Sequence, residues 1–491
     1  MRRIFSNPIT ALLGGACLRL LFVLKFPSNS GDTVIYDQLA ANWLKFGKYA
    51  MNVNGQLIPV DLRMPGYPAF LALIYALTGR TGDNARLYVM LAQIVIDLAT
   101  CALVASLAVL LASLWISPGR TRRIFVAGFW LAALCPFTAN YVAVPLTEVW
   151  ATFFTTASLA VLLLIALKAR GHRIPDIPPK IANWDYWKLV ALGGFLVGMG
   201  TLFRPESPLL LITTCFLLGC WLLRQGEFKR FVLTSALLGC ACLLPLGPWI
   251  IRNARTFHEF QPLAPKDATL PTEIDPRGFM AWEKTWLYRF KDCYLVPWKL
   301  NDEAIRLEDI PANAFDSEEE KQRVAEVLEK YNGETNWTAD EDALFAQIGK
   351  ERTARHPLRT YLWIPLRRSV RIWFTPRIEL LPVSGNVFPL RSMWEQDPVD
   401  QRVTILFFLL NIAYVCLALW GACRLWSYTN ARAAVVLLLF YVVVRTAFLT
   451  TLETPEPRYV LVCFPVLLAF AAQVMAGRQE TPAPTPRSKA T

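Results

Sequence analysis

The chain has 491 residues, 54% of them hydrophobic and 18% charged, with 17 tryptophans and a mean hydropathy of +0.35. A soluble globule of ordinary make-up does not carry that balance, so the composition indicates a membrane protein. The net charge of +12 does not point to nucleic acid, because the basic residues are scattered between apolar runs; anionic lipid head groups and orientation in the bilayer account for it. Of the 11 cysteines only Cys293 falls in a large polar loop. The others sit in or at the ends of apolar segments, which argues against a disulfide scaffold, and no Cys/His spacing looks like a zinc site.

Along the chain, Met1-Arg2-Arg3 and the apolar run 9–26 have the look of a signal sequence. Phe26-Pro27-Ser28-Asn29 offers no small-x-small cleavage site, however, so this run reads as an uncleaved first transmembrane helix. A polar stretch, 30–68, follows. Asp32 is placed to cap a helix starting at Thr33, in which Ile35, Leu39, Trp43 and Phe46 recur at helical spacing while Asp37, Gln38, Lys45 and Lys48 lie elsewhere. That pattern suits a helix lying in a bilayer interface and holds two carboxylates, Asp32 and Asp37, at the membrane surface. Arg63 precedes Pro65 and Pro68, and 67–77 is a second apolar segment too short to span.

Apolar segments long enough to cross occur near 9–26, 86–112, 124–142, 147–167, 186–203, 207–223, 231–250, 402–423, 433–452 and 459–476. The expected fold is therefore an all-α polytopic membrane protein with about ten transmembrane helices, interfacial helices in the first external loop and a mostly helical external insert. Short basic connections at 1–3, 120–123, 168–188, 224–230 and 424–432, and the tail from Arg478, all fall on one side if the N-terminus is cytoplasmic. The opposite face then receives the 27–85 loop, Thr147-Glu148, Arg204-Pro205-Glu206, Arg252-Asn253, the whole of 254–401, and 453–459. Each charged group there has an ordinary reading as an interfacial anchor. Carboxylates and several arginines converging on one surface are less ordinary and could bind an anionic head group.

The expected division is a transmembrane module over 1–253 whose first external loop, 27–85, carries the chemistry, an external region over 254–401, transmembrane helices over 402–477, and a disordered tail over 478–491. Within 254–401, Ser317-x-x-Glu320 and Thr338-x-x-Glu341 both fit capping boxes opening helices, the second closed before Pro357. Segment 359–374 mixes Trp363, Trp373 and Phe374 with Arg367, Arg368 and Arg371 and suits an interfacial helix. No Gly-rich nucleotide loop and no nucleophile elbow is present, which argues against a sugar nucleotide or ATP as substrate. Asp97 and Arg445 lie deep in apolar runs, and a structural pair between them is the simplest expectation, with an ion pathway as its rival; Arg19 has the same ambiguity.

The ordered set Gly31-Asp32-x-x-x-Tyr36, Arg63-x-Pro65-Gly66-Tyr67-Pro68, Pro145-Leu146-Thr147-Glu148, Arg204-Pro205, Pro248-Trp249-Ile250-Ile251-Arg252-Asn253 and Arg458-Tyr459 resembles the membrane glycosyltransferases of the C-type fold. Within them it is most similar to the bacterial group related to protein O-mannosyltransferases and to the lipid A aminoarabinose transferase. The resemblance implies an enzyme of the bacterial inner membrane. It would take a sugar from a polyprenyl monophosphate and pass it to a hydroxyl of a glycan, lipid or protein acceptor on the periplasmic side. It also implies an Asp of the first external loop as base, which carries over to Asp32, with Asp37 or Glu148 as carboxylates that could share the task.

The chemistry is consistent with such residues. One displacement at the anomeric carbon inverts configuration and needs a base for the acceptor proton. The leaving phosphate needs no general acid but does need cationic clamps, for which the planar guanidinium is suited. Arg252 and Arg458 are the first candidates and Arg63 and Arg204 the next, with Tyr36, Tyr67, Asn253 and Tyr459 as substrate-binding neighbours. Carboxylates near phosphate could hold Mg²⁺ or Mn²⁺, yet no ligand cluster in the sequence demands a cofactor. A transporter or flippase for lipid-linked glycans, and a polymerase or ligase using a diphosphate donor, are the alternatives.

Overall fold

The computed structural model describes residues 7–116, 121–171, 184–265, 269, 273–385, 387 and 397–476. Of the basic connections used to orient the chain, 1–3, Arg120, most of 168–188 and the tail from Arg478 fall outside the described residues, as does the expected disordered tail.

Seven helices among the described residues are long and apolar enough to cross a bilayer: Pro8–Lys25, Gly82–Ala112, Glu148–Ala169, Phe228–Phe257, Pro398–Trp426, Thr429–Thr450 and Pro457–Met475. Thr121–Ala133 and Pro136–Ala143 make an eighth if taken as one broken span, bent by 52°. The bend falls at Pro136, which has no N–H to offer the preceding turn and whose ring crowds it. The two remaining apolar segments form helices of 16 residues, Tyr186–Thr201 and Leu209–Arg224. Every expected span is thus helical, but seven of these helices, or eight with the broken pair, rather than ten are long and apolar enough to cross among the described residues; the protein is a helical polytopic membrane protein with one short β-hairpin.

The polar stretch after the first helix folds as expected in outline. Gly31–Phe46 is a 16-residue helix. A hairpin pairing Ala50–Val53 with Gln56–Pro59 follows, turned by Asn54 and Gly55 in the left-handed region (φ 51° and 79°), as a tight hairpin turn requires. Gly66–Thr78 is the short apolar helix. Its Tyr67, Phe70, Leu71 and Tyr75 pack with Tyr36 and Ala40 of the preceding helix in one apolar cluster shared with the bundle. Leu39, Tyr49, Met51, Val60, Leu62 and Met64 form a second cluster against Leu246 and Trp249.

The 254–401 insert has a core of its own, built on Phe279, Trp282, Trp286, Trp337 and Phe345. Ser317 and Thr338 cap Glu318–Glu334 and Ala339–Arg355 by accepting from the backbone N–H groups of Glu320 and Glu341. The 359–374 segment is a π turn, Arg359–Trp363, leading into the helix Ile364–Trp373. Tyr361, Leu362 and Trp363 stay exposed while Ile364, Arg368 and Ile372 are buried. Arg368 ties the insert to the bundle by donating to the carbonyls of Leu287 (2.7 Å) and Thr450 (3.2 Å).

The expected pairing of Asp97 with Arg445 does not occur. Arg19 takes Asp97 instead, with Nε 2.7 Å from Oδ2 and both side chains buried, because Pro8–Lys25 packs against the helix carrying Asp97. Arg445 faces another way and pairs with Glu206 at 3.0 Å.

Candidate active site

The site is assembled around the first turn of Gly31–Phe46. Ser30, not Asp32, occupies the N-cap; its backbone N–H donates to Thr33 Oγ1 (3.2 Å). Thr33 Oγ1 in turn donates to the Pro145 carbonyl (3.3 Å), and the Ser28 N–H donates to the Ala143 carbonyl (2.9 Å). These bonds pin the start of the helix to the 143–148 segment. Asp32 is left in the first turn, where a carboxylate is favoured by the helix dipole, with its oxygens free to meet other partners.

Two guanidiniums meet it, from opposite ends of the chain. Arg63 Nη2 lies 2.7 Å from Asp32 Oδ1, and Arg458 Nη2 lies 3.1 Å from Oδ2. Arg63 is delivered by a close packing: the Gly66 N–H donates to the Leu202 carbonyl (2.7 Å), and a Cβ at Gly66 would stand 2.5 Å from that oxygen. The same contact sets Arg63 beside the turn carrying Arg204. Arg204 forms a close ion pair with buried Glu148, and its guanidinium lies over the Tyr459 ring (5.3 Å to the centroid). Arg458 also reaches Glu456, with Nε 2.5 Å from Oε2, and the Tyr459 hydroxyl donates to Glu456 Oε1 (2.5 Å). Arg458 Nε is 3.7 Å from Glu148 Oε1, so the pairs form one continuous cluster.

Three carboxylates, Asp32, Glu148 and Glu456, thus face three guanidiniums, Arg63, Arg204 and Arg458. Glu148 Oε2 is buried with no hydrogen-bond partner among the described residues. Burial pushes the Asp32 carboxyl up, but the Arg63 and Arg458 charges outweigh it and hold it at about 2. Burial lowers Arg63, and Asp32 more than compensates, so its proton is held more firmly than usual. Tyr36 is buried and faces the cluster; burial first and the Asp32 charge second push its phenol up to about 12. Its ring sits edge-on to Tyr67 at 5.1 Å.

Other candidates are placed elsewhere. Asp37 is not brought to this cluster: it accepts from the Tyr75 hydroxyl (2.5 Å) and faces Arg86 (3.4 Å) across the helix from Asp32. Five positions along a helix is not a return to the same face. Arg252 is also turned away. It donates to the Tyr49 carbonyl (2.7 Å) and to Asn253 Oδ1 (2.8 Å), with the rings of Tyr49, Trp249 and Phe257 around its guanidinium. Asn253 is fully buried and donates to the Gln261 carbonyl (2.9 Å). Tyr49 links this group to the site, since its hydroxyl donates to the Arg63 carbonyl (2.8 Å). Tyr67 is fully buried with its hydroxyl on Gln93 (2.8 Å), so it supports Tyr36 from beneath.

Glu456 joins the cluster and Glu206 flanks it through Arg445; both fall in charged stretches that the sequence assigns to the external face, but neither is among the expected site residues. A signal existed for the first: Glu456 lies between Pro455 and Pro457, where a helix cannot run on, two residues from Arg458. As for a divalent ion, no group of three or more His, Cys, Asp or Glu is placed to hold one among the described residues. The carboxylates here already face the chain's own guanidiniums, so the set does not fit Mg²⁺ or Mn²⁺ as it stands.

Fold and site together define a polytopic helical membrane protein with an arginine–carboxylate centre at one end of its bundle. No protein-family model and no curated protein matches the chain. Among solved structures it is similar to the Archaeoglobus fulgidus oligosaccharyltransferase AglB in complex with an inhibitory peptide and a dolichol-phosphate, at 12% identity and a TM-score of 0.47 over 94% of this chain and 50% of that one. It is also similar to ArnT from Cupriavidus metallidurans in the apo state (13% identity, TM-score 0.38, 94% of this chain and 77% of that one). The same protein bound to undecaprenyl phosphate gives 12% identity and a TM-score of 0.39, with the same coverage. The chain spans about half the length of the archaeal protein.

Proposed function

We propose that the protein is a membrane glycosyltransferase that moves a sugar from a polyprenyl monophosphate to an acceptor hydroxyl, with inversion. The reading rests on one observation: a carboxylate held between two guanidiniums that come from stretches remote in sequence, at one end of a membrane bundle. Arginine pairs fit a phosphate as well as they fit a carboxylate. In the resting state they occupy Asp32, and at about 2 that carboxylate is a poor base.

The donor phosphate then competes for Arg63 and Arg458. Once they turn to it, burial is the main influence left on Asp32 and its basicity rises. The acceptor oxygen attacks the anomeric carbon, the bond from that carbon to the phosphate oxygen breaks, and polyprenyl phosphate leaves with the bonding pair. The acceptor proton ends on Asp32. Arg204, held by Glu148, adds positive charge beside the departing phosphate. The scheme routes no step through a divalent ion, and activity that survives EDTA is expected. The positive-inside pattern supports a site on the periplasmic face of a bacterial inner membrane.

The flippase alternative needs free ionisable groups in the bundle interior, whereas Asp97 is engaged by Arg19 and Arg445 by Glu206. Mass spectrometry of the lipids accumulating in a deletion strain tests the proposal. A sugar on polyprenyl monophosphate is expected, and a sugar on diphosphate would move the protein to the polymerase or ligase class.

A further inference from the structure

Arg458 sits in a stretch with little regular backbone bonding of its own. Pro455 and Pro457 remove two backbone donors and the chain runs on as the 3-10 turn Pro457–Cys463, with poorer hydrogen-bond geometry than an α-helix. Yet Arg458 must aim at Asp32 closely enough to be shared with a ligand. The carbonyls on both sides of it are gripped by buried arginines from two other elements. Arg377 Nη1 donates to the Pro457 carbonyl (2.8 Å), and Arg445 donates to the Tyr459 carbonyl through Nε (3.3 Å) and Nη2 (3.1 Å).

Neither grip is incidental. Arg377 is 1% exposed, adopts the left-handed region (φ 55°) that favours glycine, and holds its guanidinium over the Phe464 ring (4.8 Å) and on the Ile372 carbonyl (2.9 Å). A non-glycine residue persists there when its surroundings over-determine it. Arg445 is 3% exposed, and its charge is balanced by Glu206, two residues from Arg204. One guanidinium therefore joins the turn that carries Arg204 to the stretch that carries Arg458.

We propose that Arg377 and Arg445 are positioning residues: they hold the backbone on either side of Arg458, and through it fix where an anionic phosphate is bound. This rests on the reading of Arg458 as a phosphate ligand. Lysine at either position keeps the charge but not the planar fork that reaches more than one acceptor.

The test is the dissociation constant of undecaprenyl phosphate for the full chain in lipid nanodiscs, measured by native mass spectrometry, with melting temperatures recorded alongside. Arg458→Ala, Arg445→Lys and Arg377→Lys are each expected to weaken binding about ten- to a hundredfold, the scale of losing one hydrogen bond to a charged group. In the Arg458→Ala background Arg377→Lys is expected to add nothing, because it acts through the missing side chain, and Arg445→Lys to add less than it does alone, since only its hold on the turn carrying Arg204 remains. Glu206→Gln, a milder variant that keeps both arginines, is expected to weaken binding more when Arg458 is present than when it is absent. Arg19→Lys, a buried arginine remote from the site, is expected to leave binding unchanged. Equal losses with and without Arg458, or no loss in any of these variants, would overturn the inference. Failure of the parent protein to bind, or of Arg458→Ala to matter, would overturn the phosphate reading beneath it.

Discussion

Arg458 and Asp32 are 426 positions apart in sequence and 3.1 Å apart in space. The first interfacial helix and the last membrane segment are thereby joined at one carboxylate. Arg63 completes the arrangement from the other side, so Asp32 has a cation at each oxygen.

Asp32→Asn removes the proposed proton acceptor and one partner of both arginines. Transfer of sugar, followed by mass spectrometry of the product in membranes, is expected to fall by about 10²- to 10⁴-fold. Since Ser30 and Thr33, not Asp32, begin the helix, the variant is expected to keep its fold at a lower melting temperature, having lost both ion pairs. Full activity in this variant would remove the base assignment.

The pH dependence has a defined direction. Asp32 is depressed in the folded protein to about 2, so its pairing stabilises the fold fully above the unfolded value near 3.8 and is lost as pH falls through about 2. Melting temperature is therefore expected to be insensitive to Asp32 between about pH 5 and 8 and to drop below about 4. Asp32→Asn should flatten that acid limb.

Gly66→Ala places a methyl group 2.5 Å from the Leu202 oxygen, a backbone atom that cannot swing aside. Destabilisation of about 1–3 kcal/mol is expected, read as a lower melting temperature. Because the same contact seats Arg63 beside Arg204, affinity for undecaprenyl phosphate should fall as well.

Asp37→Asn offers the contrast with Asp32. Its partners are Tyr75 and Arg86, away from the cluster, so transfer should persist at close to the parent rate while stability falls slightly. A loss as deep as that of Asp32→Asn would show that the second carboxylate shares the chemistry.

Asp97→Asn leaves Arg19 buried without its counter-charge. Breaking a buried pair from one side costs about 3–5 kcal/mol, so expression or melting temperature should fall sharply. A neutral effect would mean the pair is not formed in the membrane.

The sequence alone determined which segments are helical and apolar, because the length of an uninterrupted apolar run and the chemistry of a cap are local properties. The spans, the short helix after Pro65 and the caps at Ser317 and Thr338 all follow from neighbours within a few residues. It also brought Asp32, Glu148, Arg63, Arg204 and Arg458 under suspicion. Only the tertiary structure decided who pairs with whom. Asp97 takes Arg19 and leaves Arg445 to Glu206, Asp37 turns to Tyr75, and Arg252 is enclosed by Tyr49 and Trp249. Those choices depend on the order of helices around the bundle and on the rotation of each about its axis. Hydropathy records how deep a residue lies but not which way it points, and a charge buried in a bundle is settled by direction.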